Sequence, residues 1–112
     1  MADATDSIGI LQFALDAVVT QQQVIANNIA NQDTPGYQAN QVSFQSSLAR
    51  ALQQGGAAAV TVTPERLPSG TNGNNVSLST EMTFLQENNL ENKTIDNALS
   101  AQFAILSAAL TA

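Results

Sequence analysis

From Ser7 to Asn31 the apolar residues Ile8, Leu11, Leu15, Val18, Ile25 and Ile29 recur at steps of three and four, interrupted only at Gln22. That spacing belongs to one helix lying along another, so the pattern predicts a long amphipathic helix with a heptad seam. Asp3, Thr5, Asp6 and Ser7 offer capping oxygens at its start and suit the positive end of the helix dipole. Thr34-Pro35-Gly36 stops it, because Pro35 presets the second position of a tight turn and Gly36 supplies a positive φ at the third. Phe44, Leu48 and Leu52 then recur every four residues, which predicts a short helix ending near Gly55-Gly56. A last helix is expected from Ser77 or Ser79 to Leu110, capped by Ser79 or Thr80, with Glu81 and Glu87 in its early turns. Its stripe starts with Met82 and Leu85, turns polar at Asn89, Asn92 and Asp96, and resumes with Leu99, Phe103, Leu106 and Leu110.

Between the helices, residues 55–75 collect Gly, Ala, Ser, Asn and two prolines around one β-like run, Val60-Thr-Val-Thr63. Few large apolar groups are present to offset the entropy of ordering, so a flexible loop or an edge hairpin is expected. The whole is a mainly α-helical chain forming one structural domain over 1–112. It divides into an N-terminal helix (1–34), a turn and short helix (35–54), a flexible loop (55–75) and a C-terminal helix (76–112). The two long terminal helices are expected to pair as an antiparallel, coiled-coil-like hairpin. From Ala98 to Leu110 the last helix is apolar nearly all round, and a hairpin of two helices cannot cover such a surface, so other chains are expected to bury it.

Composition sharpens this picture. Val, Ile, Leu and Phe make up 28 of 112 residues, too few for a deep core. Asn and Gln abound, and the formal charge is −6. Arg50, Arg66 and Lys93 are the only bases, so no stripe exists to neutralise phosphates or anionic headgroups, and neither nucleic acid nor direct lipid binding is expected. Cys and His are absent, which removes disulfides, thiolate nucleophiles, the usual zinc ligands and the commonest general base. No catalytic residue, cofactor or metal site is expected, and Glu65-Arg66 reads as a solvated pair. Acids stand at the amino terminus where a secretory signal needs bases, and no apolar run approaches the roughly 18 residues of a membrane span; neither a cleavable signal nor a span is expected.

The densest signal is Ile25-Ala-Asn-Asn-Ile-Ala-Asn-Gln-Asp-Thr-Pro-Gly-Tyr37. Asn is a poor helix-interior residue, yet Asn27, Asn28 and Asn31 crowd one helix end, where amides can reach a neighbour's backbone and specify register. Asn27, Asn28, Ile29, Ala30 and Asn31, followed by Thr34, Pro35, Gly36 and Tyr37, resemble one by one the amino-terminal signature of the axial proteins of the bacterial flagellum. Asn74-Asn75-Val76, Leu78 and Glu81-Met82 are similar to the short proximal rod members of that family.

The resemblance implies a non-catalytic structural subunit of the proximal rod of the basal body, helping form the tube that transmits motor torque across the periplasm to the hook. It implies export, unfolded and without signal cleavage, through the flagellar secretion apparatus. Both terminal helices would pack into the inner wall of the tube. The implied partners are copies of itself, other flagellar rod proteins, the export apparatus and basal-body base proteins. On this resemblance the nine signature residues serve assembly. The packing positions are Ile8, Leu11, Leu15, Val18, Ile25, Met82, Leu85, Leu99, Phe103, Leu106 and Leu110. The alternative of another class is a soluble helical adaptor of the secretion-chaperone kind, binding one amphipathic partner helix in a groove.

Overall fold

The computed structural model describes residues 4–53 and 60–111. Helix α1 spans Ala4–Ala30, strand β1 Asn40–Val42, helix α2 Phe44–Gln53, strand β2 Val62–Pro64 and helix α3 Leu78–Thr111. At about 1.5 Å per residue the two terminal helices are roughly 40 and 51 Å long, and their antiparallel pairing draws the chain out to 64 × 23 × 14 Å. The expected caps Asp3, Thr5, Asp6 and Ser7 and the stop at Gly55-Gly56 lie outside the described residues and side chains. At the start of α3 the cap is Ser77 rather than Ser79 or Thr80: its Oγ accepts the Thr80 backbone N–H at 3.3 Å. A serine three residues ahead of that amide is the one whose hydroxyl can reach it.

The seam between the long helices has the expected period and a different phase. In α1 the buried line runs through Ala14, Val18, Gln21, Ile25 and Asn28, and in α3 through Glu81, Asn88 and Ile95. Val18 and Ile25 stand where the apolar pattern places them. Ile8, Leu11, Leu15 and Ile29 are only half-buried, and so are Leu85 and Leu99. Met82 is 46% exposed, because the adjacent Glu81, about 100° round the helix, takes the inward position. Small and polar side chains thus share the buried line with Val18, Ile25 and Ile95, while Ile8, Leu11, Leu15, Ile29, Leu85 and Leu99 flank it. The carboxamide of Asn88 donates to the Val18 carbonyl at 2.8 Å and that of Asn28 to Glu81 Oε1 at 3.0 Å, so the polar members of the seam bond across it.

The apolar core is correspondingly small: Ala14, Val18 and Ile95, with Leu15, Phe44, Leu48 and Leu99 packed around them. Helix α2 contributes Phe44 and Leu48 to it and buries Ser47 and Ala51 completely. Leu52, expected to extend that face, is exposed because the small Ala51 holds the inward position. Beyond the core, Phe103, Leu106 and Leu110 are 51%, 37% and 78% exposed. With Asn28 against Glu81 and Ala14 packed with Ile95, α3 outruns the start of α1 by its final turns.

Part of the stretch expected as a flexible loop or edge hairpin is a strand. β2 pairs antiparallel with β1, Asn40 opposite Pro64, Gln41 opposite Thr63 and Val42 opposite Val62. After it, Glu65, Asn74 and Asn75 are buried. Ordering here comes from amide side chains bonded to backbone, a source that counting large apolar residues overlooks. Among the described residues no helix is long and apolar enough to cross a membrane.

If the seam carries the fold, Ile95→Ala lowers the unfolding free energy by about 2–4 kcal/mol. Leu110→Ala changes it by under about 0.5 kcal/mol. Denaturant titration followed by helical circular dichroism measures both; equal losses at the two positions would contradict this packing.

Candidate functional site

The signature begins where α1 ends. The Asn31 N–H still bonds the Asn27 carbonyl at 3.1 Å, and the Asn31 side chain donates to the same carbonyl at 2.8 Å, closing the last turn. Thr34 Oγ1 donates to Asn31 Oδ1 at 3.1 Å, and the Tyr37 N–H reaches back to the Thr34 carbonyl at 3.2 Å. Between them Pro35 holds the second position of the turn and Gly36 the third, with φ +77°. A residue with a Cβ resists that conformation, so this glycine is a backbone requirement.

Asn28 sits behind the turn with no exposed surface. Its Nδ2 donates to the Asn40 carbonyl at 2.7 Å and to Glu81 Oε1 at 3.0 Å. Its Oδ1 accepts from Tyr37 Oη at 3.0 Å and from the Asn40 N–H at 3.1 Å. A carboxamide has two N–H donors and two acceptor lone pairs, and all four are used. One side chain therefore ties together the end of α1, the signature tyrosine, the entry of β1 and the first turn of α3.

A second pair of asparagines completes the joint. Asn74 Nδ2 donates to the carbonyls of Asn31 and Thr34 at 2.8 and 2.7 Å, and its Oδ1 accepts the Val76 N–H at 2.7 Å. Asn75 Oδ1 accepts the Ala39 N–H at 2.6 Å, while its Nδ2 donates to the Glu65 and Leu67 carbonyls at 3.1 and 3.4 Å. The Gly36 N–H bonds the Asn72 carbonyl at 2.9 Å. Gly73, also at positive φ, comes so near that a Cβ there would stand 3.4 Å from Gly36 Cα. Gln38 Nε2 donates to the Gly73 carbonyl and to Ser69 Oγ. The two motifs singled out far apart in the chain are thus one interlocked unit.

Not every signature residue enters it. Asn28, Asn31, Thr34 and Tyr37 bond through side chains and Gly36 through its backbone, whereas Asn27, Ala30 and Pro35 are exposed. Ile29 and Ala30 instead line a shallow, mainly apolar depression of about 330 Å³ on the flank of the hairpin, together with Gln22, Ile25 and Leu85. Three buried polar residues escaped the apolar pattern. Gln21 precedes Asn28 by seven, and Glu81, Asn88 and Ile95 repeat at seven, so a heptad of polar residues was the signal that marked them. Glu65 carried no such signal: it is 94% buried rather than solvated beside Arg66, which is exposed.

The joint is acidic inside. Burial first, then the closeness and charge of the Glu81 carboxyl, push the Glu65 carboxyl up to about 7. Burial first, then the charges of Glu81 and Glu65, raise the Tyr37 phenol, which keeps it a neutral hydrogen-bond donor to Asn28. Further along α3, burial and the nearby Glu87 raise Glu91. Among the described residues no group of three or more acidic side chains could hold a metal ion. What the arrangement can do is mechanical: it sets the angle and register at which the chain leaves one long helix and enters the other.

Asn28→Ala removes four hydrogen bonds and leaves buried partners unmatched, and is expected to destabilise the chain by about 2–4 kcal/mol. Tyr37→Phe, deleting one bond, should cost about 0.5–1.5 kcal/mol. Denaturation midpoints of the two variants would show it, and an Asn28→Ala loss no larger than that of Tyr37→Phe would contradict the hub.

The amino-terminal half of this joint coincides with a recognised family pattern. The family model described as "Flagella basal body rod protein" matches residues 10–38, from the second turn of α1 through the signature turn to Gln38. Flagellar basal body rod protein FlgB of Escherichia coli (strain K12) is 33% identical, over 91% of this chain and 91% of that protein. FlgB of Bacillus subtilis (strain 168) is 34% identical over 90% of each. FlgB of Yersinia enterocolitica is 30% identical over 91% of this chain and 92% of its own length. Similarity that runs through both long helices and the joint between them makes this chain a member of the FlgB family of flagellar basal body rod proteins.

Proposed function

We propose that the chain is a structural subunit of the proximal rod of the flagellar basal body, helping form the tube that carries torque from motor to hook. Membership of the rod family supports the structural role. The observation that carries the assembly reading is the apolar end of α3, where Phe103, Ile105, Leu106 and Leu110 stand between 37% and 78% exposed. Contiguous apolar surface of this kind marks a contact with other protein. Its partners would be copies of itself and other rod proteins, whose helices would cover this row and the depression beside Ile29 and Leu85.

Export through the flagellar secretion apparatus, without cleavage of a signal, belongs to the same proposal. The small apolar core supports it, since a chain with so little to unpack is readily held unfolded and completes its burial only among neighbours. The signature joint would serve assembly by presenting both helices at a set angle. The packing roles assigned to Phe103, Leu106 and Leu110 are intermolecular in this proposal.

Leu106→Ser combined with Leu110→Ser should leave the helical signal of the isolated chain within about 10% of wild type, because exposed positions contribute little to its stability. The same variant should fail to enter basal bodies and to restore swimming in a strain lacking the subunit. Normal incorporation of the double variant, seen in purified basal bodies, would defeat the proposal. Pro35→Ala or Tyr37→Ala should likewise impair incorporation more than equal changes between residues 60 and 63, and similar tolerance at both places would count against a role for the joint.

A further inference from the structure

Two carboxylates are brought into one part of the joint, because the Glu65 N–H bonds the Ala39 carbonyl while Asn28 bonds both the adjacent Asn40 and Glu81, and neither carboxylate has a basic partner there. Glu81 is fully buried and Glu65 is 94% buried. Glu81 Oε1 accepts from Asn28, but Glu81 Oε2 and both Glu65 side-chain oxygens are buried and accept no hydrogen bond. The backbone of Glu65 is held on both sides, its N–H by the Ala39 carbonyl at 2.9 Å and its carbonyl by Asn75 Nδ2 at 3.1 Å. The side chain therefore has little freedom to leave. Facing the pair are Asn28 from α1, which is neutral, and Tyr37 from the turn, whose phenol is neutral and already donates to Asn28. The bases lie elsewhere: Arg50 donates to Thr61 Oγ1 at 2.8 Å, while Arg66 and Lys93 are exposed.

An ionised carboxylate can only accept, so two of them side by side leave their facing oxygens without a donor and repel as well. A single proton on one oxygen supplies the missing donor and removes half the charge. A divalent cation would do so less well. It requires about six oxygen ligands or bound waters, and this pocket holds two carboxyls in a nearly closed setting.

We propose that Glu65 and Glu81 share one proton in the folded chain, and that this proton latches the segment running from β2 to α3 against the heads of the two helices. With the proton present, the O–H···O contact holds Glu65 inward, and the bonds of Asn75 to Glu65 and Ala39 stay closed. With it gone, two buried negative charges face one another and the segment loosens first at Glu65. The rise of the Glu65 carboxyl from 4.5 to about 7 agrees with this geometry. Because the folded-state value lies above the unfolded one, the stabilisation is complete below about 4.5. It declines as pH rises, and it is gone above about 7.

The test is carboxyl carbon NMR on the ¹³C-labelled full-length chain from pH 4 to 9, together with hydrogen exchange at the Ala39 and Asn75 amides. One carboxyl should titrate near 7, and that step should vanish in Glu65→Gln, whose amide supplies a permanent donor to Glu81. Local opening at the two amides, corrected for intrinsic exchange, should grow by up to about tenfold per pH unit between the two limits and level off above them. In Glu65→Gln it should stay flat. Glu65 titrating near its ordinary 4.5, or an equal slope in Glu65→Gln, would overturn the latch. So would displacement of the step by millimolar calcium or magnesium, which would assign the pair to a cation.

Discussion

A polar side chain with no contact to solvent must find all of its partners inside the protein, and in this chain Asn28 does so with four hydrogen bonds to three residues, Tyr37, Asn40 and Glu81. Each bond is worth only about 0.5–1.5 kcal/mol net, but leaving the group unmatched costs more than making the bonds gains. That asymmetry turns a weak attraction into a strict geometric condition. Only one mutual placement of the α1 end, Tyr37, Asn40 and Glu81 satisfies the amide, so the joint specifies register more than it supplies stability.

The same logic extends down the seam. Gln21 and Asn88 are buried beside Val18 and Ile25, and Asn88 bonds the Val18 carbonyl directly. Against a core of Ala14, Val18 and Ile95, these amides keep two smooth helices from sliding by a turn. The apolar residues left off the seam, Ile29 and Leu85 on one flank and Phe103 to Leu110 at the far end, remain free for surfaces outside the chain. The chain thus presents two kinds of surface: an internal joint of one geometry, and rows of exposed apolar side chains.

Much of the fold was legible residue by residue. Period 3.5 in Ile8 to Ile29 marked a long helix, Pro35-Gly36 its stop, Phe44 and Leu48 the short helix, and the Asn-rich signature the family. The phase of the seam was legible only at Val18 and Ile25, because Ile8, Leu11, Leu15 and Ile29 stood on its flanks while Ala14, Gln21 and Asn28 took the inward positions. Met82 was read inward for the same reason, where Glu81 takes that position. Apolar periodicity reports which face is half-covered, whereas the line of contact goes to side chains small enough, or well enough bonded, to let the backbones approach.

The order and lengths of the three helices and the turn chemistry at Gly36 followed from local rules, since each depends on residues a few positions apart. The pairing of β1 with β2, the burial of Glu65 beside Glu81, and the closure of Asn74 and Asn75 on the signature turn join residues separated by 16 to 43 positions. No single-position property of Glu65 or Asn75 distinguishes them from exposed loop residues. Their roles were decided only when tertiary folding brought donors, acceptors and charges within hydrogen-bond reach, where each group is matched or is costly to bury.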